Sequence, residues 1–321
     1  MTSLDFEEFL WANGLNEKNI NTLKEYTKKE LELPQALADY YKEVIKRYVI
    51  IGGMPESVKS FLSTNNYIKS RNYLNGLIKD YRADFGRFIN DNNEEVDYHL
   101  QAKLNKIFDS IPSQLARDTD THKFKYSEVK KDGRESEFEE PFEWLEKAGL
   151  VIRCYNLKAI EQSLEANSNK NYFKAFLSDI GLLMALFPIS VSQEYLNDEL
   201  DSRKGAIFEN LAAVMINKSG LPIYYFSRGE DHLEIDFILE TNKGIILVEE
   251  KSTNGKMSAS KAVMTSKTPY TAIKCYKVNK ENFGNGAFFT SIPQCSLPFL
   301  LDEIKKLEKG IELKNIEYPN I

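Results

Sequence analysis

Apolar positions recur at helical spacing through the first ninety residues and break into strand-length runs toward the C-terminus. Leu4, Phe6, Phe9, Leu10 and Trp11 cluster among acids ahead of Asn13-Gly14, which predicts a short helix closed by a turn. A second amphipathic stretch covers about 17–30, and a third begins after Pro34 and ends at Ile51. Tyr67, Ile68, Tyr73, Leu74, Leu77, Ile78, Tyr81 and Phe85 keep the spacing across 65–89, so this section reads as helices packed on helices.

Between 95 and 195 the pattern predicts helices at 98–108, 126–130 and 135–148, then strands at 150–155 and 172–177 around a loop at 161–170. Pro141 is expected in the first turn of the third helix, which would shorten it. Ser178 or Asp179 is expected to cap a helix starting near Ile180, with Gly181 allowing close packing. Farther on, Ile223-Tyr224-Tyr225-Phe226 follows Gly220 and Pro222 and reads as a strand, with 235–239 as its partner. Asn242-Lys243-Gly244 supplies a turn, and the apolar run 245–248 is typical of a strand buried on both faces. A helix at 258–265, a strand at 271–278 and an amphipathic helix at 297–307 complete the pattern. The fold class is therefore α+β and multidomain: a helical segment at 1–94, a middle module at 95–195 and an α/β domain with a mixed sheet at 196–321.

Composition narrows the function classes. Among 321 residues, 42 basic side chains face 48 acidic ones, which weakens a broad electrostatic footprint for nucleic acid but leaves room for a local basic groove. Cys154, Cys275 and Cys295 are scattered, with no paired spacing and no histidine at ligand distance, so neither a disulfide framework nor a zinc site is expected. His99, His122 and His232 have no companions that suggest a triad. No apolar run reaches the length of a spanning helix and the region after Met1 lacks a signal pattern, so a cytoplasmic protein without a membrane partner is expected.

The residues most suggestive of chemistry lie late in the chain. Asp236 and Glu249 fall on adjacent predicted strands, alternation puts Glu249 and Lys251 on one face with Glu250 on the other, and Glu209 sits on the helix predicted at 205–217. Two neighbouring carboxylates can hold Mg²⁺ through oxygen, a lysine beside them can orient or activate a water, and Glu209 could add a third oxygen. The chemistry indicated is metal-dependent phosphodiester hydrolysis, with Asp236, Glu249 and Lys251 as catalytic candidates and Asp236, Glu249 and Glu209 as metal candidates. The competing reading is a nuclease-like shell that retains its acids as an interaction or assembly scaffold, for a protein partner or a second copy of the chain.

In order, the helix acid, the strand acid and the Glu249-x-Lys251 strand resemble the PD-(D/E)XK nuclease-like superfamily. That resemblance implies metal ligation by Asp236 and Glu249, water positioning by Lys251 and an accessory ligand in Glu209; the proline usual before the aspartate is replaced by Ile235. Such folds often place a basic residue of the next helix near the metal, which makes Lys261 a secondary candidate, with Lys256 just ahead of it.

Gly52-Gly53-Met54-Pro55-Glu56, the opening 4–10, and the stretches 174–183, 205–210 and 234–252 together resemble the part that follows the nucleotide-binding core in a bacterial and archaeal AAA-type ATPase family with a nuclease-like C-terminal domain. The ATPase core itself is not found. Tyr48 to Ser60 leads through glycines to Lys59-Ser60, but Val58 stands where a P-loop needs glycine and Pro55 removes a donor amide, so no ATP site is expected. The middle module resembles a winged helix, which implies DNA contact through its third helix. That helix and its approach carry Glu135, Glu137, Glu139, Glu140, Glu143 and Glu146, repulsive toward phosphates. Nucleic-acid contact would instead fall to Lys123, Lys125, Lys130 and Lys131, or to Lys158, Lys170 and Lys174.

Overall fold

The computed structural model describes residues 3–90, 93–117, 123–200, 203–228, 233–251, 257–266 and 272–308. Five helices open the chain: α1 (Phe6–Ala12), α2 (Glu17–Lys28), α3 (Gln35–Ile51), α4 (Pro55–Thr64) and α5 (Tyr67–Asp84). Asp5 starts α1 through a capping box with Glu8, and Asn16 and Asn66 cap α2 and α5, so side-chain acceptors satisfy the first-turn amides. The helical pattern expected to run to residue 89 stops at Phe85. Gly86 adopts φ +72° and turns the chain into the hairpin β1 (Arg87–Asn90) and β2 (Asn93–Val96).

Next come α6 (Tyr98–Leu115), α7 (Tyr126–Val129) and α8 (Glu135–Lys147), then β3 (Val151–Leu157), α9 (Leu164–Asn167) and β4 (Ser168–Leu177). Pro141 lies in the middle of α8 rather than in its first turn, and Pro112 lies inside α6, which runs seven residues past its expected end. Each proline removes one helical bond, yet both helices continue because their apolar faces are buried, Phe138, Phe142 and Leu145 in α8 and Phe108, Ile111 and Leu115 in α6.

Helices α10 (Ile180–Leu186), α11 (Ile189–Leu196) and α12 (Arg203–Ser219) lead to β5 (Tyr224–Arg228), β6 (Leu233–Thr241) and β7 (Gly244–Glu250). The chain closes with α13 (Ser258–Thr265), β8 (Ala272–Asn279), β9 (Gly284–Asn285), β10 (Thr290–Pro293) and α14 (Leu297–Glu308). The architecture is thus α+β, a helical N-terminal region joined to a C-terminal mixed sheet.

Eight strands form that sheet in the order β4-β3-β5-β6-β7-β8-β10-β9. β3 and β4 are an antiparallel pair, and β3 continues in parallel onto β5, so the sheet crosses the expected boundary between residues 195 and 196. The larger core, with α12 and α14, covers one face, and a smaller core containing Met257, Ala259 and Val263 covers the other. Residues of β7 alternate between them, Ile246 and Val248 toward the first and Ile245 and Leu247 toward the second.

The glycine pair after α3 docks on the turn before α10. Asp179 caps α10 by accepting from the Leu182 amide at 3.1 Å, and its other oxygen accepts from the Gly53 amide at 2.8 Å. Gly52 has φ +72° and ψ −170°, and a Cβ there would lie 2.7 Å from the Gly181 Cα. Only glycine at both positions lets the two turns touch. Gly52-Gly53 and Asp179 therefore hold the end of α3 to the start of α10.

Candidate metal centre

The ladder between β6 and β7 runs from Thr241 opposite Gly244 up to Phe237 opposite Val248 and ends there. Beyond that point β6 continues along β5 as far as Leu233, while β7 continues along β8 through Glu250. The sheet forks, and Asp236 lies in the crotch. One oxygen of its carboxylate accepts from the Glu250 amide at 2.9 Å, so β7 itself fixes the group.

Three of the four expected residues meet on one side of this fork. Lys251 Nζ lies 3.1 Å from Asp236 Oδ2 and 3.0 Å from Glu249 Oε2, so one ammonium bridges the two carboxylates. Ser260, on α13, donates its hydroxyl to the other Glu249 oxygen. Burial tends to lower the Lys251 pKa, but Asp236 and Glu249 outweigh it and raise it, so the side chain is an ammonium. Burial pushes the Glu249 carboxyl up, and the Asp236 charge pushes it further.

On the other side of the fork stands a second acid group. One ligand oxygen from each of Glu209, Glu234 and Asp236 lies within 4.8 Å of the others. Opposite ligands on one Mg²⁺ are about 4.2 Å apart, so a small rotamer adjustment brings this all-oxygen set onto a hard divalent ion. Glu209 enters from α12, and Glu234 and Asp236 sit two residues apart on β6. Glu249, an expected metal ligand, lies outside this grouping and is bonded by Lys251 and Ser260. Glu234, not among the expected ligands, is in the grouping.

Lys174 completes the group. Its side chain is fully buried, with Nζ bonded to Glu209 and, at 2.6 Å, to Glu234, and lying 5.0 Å from the centre of the Tyr225 ring. Burial would depress its pKa; the surrounding carboxylates of Glu209, Glu234 and Asp236 raise it well above the ordinary lysine value instead. Lys174 was expected among the lysines facing nucleic acid, and the structure places it inside the acid triad. Across the fork the carboxyl groups of Glu209, Glu234, Asp236 and Glu249 outnumber the ammoniums of Lys174 and Lys251, and the buried Glu250 carboxyl lies close by.

Other expectations fall elsewhere. Lys261 is exposed on α13, and its neighbour Ser260 is the residue that reaches the fork. His99 is exposed on α6, while His122, His232 and Lys256 lie outside the described residues. On α8, Glu139 and Glu146 turn inward to clamp the buried Arg153 at 2.6 and 3.1 Å, and Arg153 packs on the rings of Phe142 and Phe173. Two of the glutamates of that helix are thus bonded internally to β3. Lys130 pairs with Glu137 and Lys170 with Glu165, and Lys123 sits 3.2 Å from the centre of the Tyr172 ring.

Two family models match the chain. A domain of unknown function, DUF8612, covers residues 42–193, and a second domain of unknown function, DUF4143, covers residues 204–294. The first match contains the glycine corner, Asp179 and Lys174, and the second contains Glu209, Glu234, Asp236, Glu249 and Lys251. The centre thus draws its lysines from both matched regions. No curated protein and no solved structure matches the chain. Among the described residues no helix is long and apolar enough to cross a membrane.

Proposed function

We propose that the fork is the centre of a metal-dependent, nuclease-like module acting on a phosphodiester. The position of Asp236 carries this reading: one carboxylate is shared between Lys251 on one side and the Glu209–Glu234 pair on the other. Glu209, Glu234 and Asp236 would hold a divalent ion such as Mg²⁺, which when bound supplies a Lewis acid for the phosphoryl oxygen and lowers the pKa of its water. Lys251, partly exposed at the mouth, is fixed by Asp236 and Glu249 and can orient an attacking water or offset charge on the phosphate. On the α13 side of the sheet, a groove of about 230 Å³ between the ends of β5 and β6 and helix α13 is lined by Phe226, Ile235 and Val263 with Arg228, a suitable path for an extended strand of nucleic acid.

Within this reading the chain is the non-ATPase portion of an AAA-type ATPase family protein, its middle module a winged helix and its C-terminal sheet a PD-(D/E)XK nuclease-like domain. The test is cleavage of single-stranded DNA, double-stranded DNA and RNA with Mg²⁺ or Mn²⁺. Wild type should cut at least one of them, and Asp236→Asn and Lys251→Ala should each lose about a hundredfold or more in rate. Cutting that survives both substitutions places the activity outside the fork.

A second reading has its own observation. Glu209, Asp236 and Glu249 are all buried, and Lys174 already neutralises part of the triad. Those features favour a nuclease-like shell that serves as a docking or assembly scaffold, for which no nucleic acid is cut under any metal.

A further inference from the structure

The acid triad encloses a cation of its own. Lys174 projects from β4, is fully buried, and bonds two of the three triad members. We propose that Lys174 is a tethered counter-ion of the centre: it fills the Glu209–Glu234 side, restricts the triad to a single divalent ion and holds down the affinity for that ion. The proposal rests on the metal reading of the fork given above.

Three observations support it. The first is position, since the ammonium lies 2.6 Å from Glu234 while a divalent ion must come within about 2.1 Å of the same carboxylates, so ion and ammonium compete for Glu209 and Glu234. The second is confinement. Lys251 is a quarter exposed at the mouth and can swing toward water, whereas Lys174 is locked between β4, α12 and the Tyr225 ring. The third is charge: the Lys174 ammonium is bonded to two of the three triad carboxylates, so it opposes an incoming divalent ion, and without it the triad is more negative by one charge. A lysine kept only to hold β4 against α12 would carry no such link to metal stoichiometry or affinity.

The experiment titrates the full chain with Mn²⁺, following free Mn²⁺ by electron paramagnetic resonance and thermal unfolding with and without the ion. Wild type should bind one Mn²⁺ per chain. Lys174→Met, of similar length and no charge, should bind Mn²⁺ at least about tenfold more tightly, since a unit charge some 4 Å from the ion is removed. It should also melt below wild type without metal and recover more than wild type when Mn²⁺ is added. Should Lys174→Met fail to fold, Lys174→Gln, which keeps a hydrogen-bond donor toward Glu209 and Glu234 without the charge, should show the same tighter Mn²⁺ binding. Two Mn²⁺ per wild-type chain, or unchanged affinity in the folded Lys174 variant, overturns the proposal while leaving the metal reading standing. No Mn²⁺ binding in any form removes the metal reading and this inference together.

Discussion

Asp179 and Asp236 are both buried aspartates, and the difference between them separates architecture from chemistry. Asp179 spends its two oxygens on backbone amides, those of Gly53 and Leu182, in a tight corner between α3 and α10. Burial raises its pKa, and those amide bonds work against the shift. Asp236 also takes one backbone amide, but its neighbours are Glu209, Glu234 and Glu249, held together by two lysines. A single acid bonded to amides is a cap. Several acids crowded together, beyond what their lysines neutralise, form a place for a further cation.

The contrast can be broken first at the corner, where the largest effects are expected. Gly52→Ala puts a Cβ 2.7 Å from the Gly181 Cα at a backbone conformation reserved for glycine, and should cost about 3 kcal/mol or more in urea denaturation. Asp179→Ala loses the cap of α10 and strands the buried Gly53 amide, for an expected loss of about 2–4 kcal/mol. Neither variant should change stability in a way that depends on added divalent ions beyond the wild-type response.

Asp236→Asn should behave oppositely. The lost bond to Lys251 is offset by relief of repulsion from three nearby carboxylates, so stability without metal should stay within about 1 kcal/mol of wild type, while stabilisation by Mn²⁺ should disappear. A large metal-free destabilisation of Asp236→Asn would make it a second structural aspartate.

The smallest effect belongs to an exposed acid that serves as a control. Burial tends to raise the Asp198 pKa, but hydrogen bonds from Lys280 and Lys46 overcome it and bring it from 3.8 to about 2. A carboxylate with a depressed folded pKa adds stability that is complete above its ordinary pKa and is lost as pH falls toward the folded value. The advantage of wild type over Asp198→Asn should therefore fade between about pH 4 and pH 2, and because the side chain is half exposed its size should stay below about 1 kcal/mol. A gap that is constant over this range would mean the lysine contacts do not act on its titration.

Much of this was readable in the chain. The alternating and apolar runs gave β5 to β7 in their order, the E-x-K spacing brought Glu249 and Lys251 to one carboxylate, and Asp179 followed by Ile180 and Gly181 read as a cap. Glu234 had a signal that went unused, since a residue two positions before Asp236 on a strand returns to the same face. Lys174 had none. It lies 60 residues from Glu234, and only the addition of β3 and β4 to the sheet, with α12 packed across them, carries it into the triad. The length of α6 was hidden because Pro112 argues locally for an end, and the buried apolar face of the helix overrides it.

The central claim is that the fork holds one divalent ion on Glu209, Glu234 and Asp236. A crystal grown with Mn²⁺ and measured at a wavelength where manganese scatters anomalously tests it most directly. The account predicts a single anomalous peak within bonding distance of the Asp236 carboxylate and at least one of Glu209 and Glu234, with Lys174 still in contact with the triad. A fork free of anomalous density at saturating Mn²⁺, or a peak bound only to acids elsewhere, would contradict it.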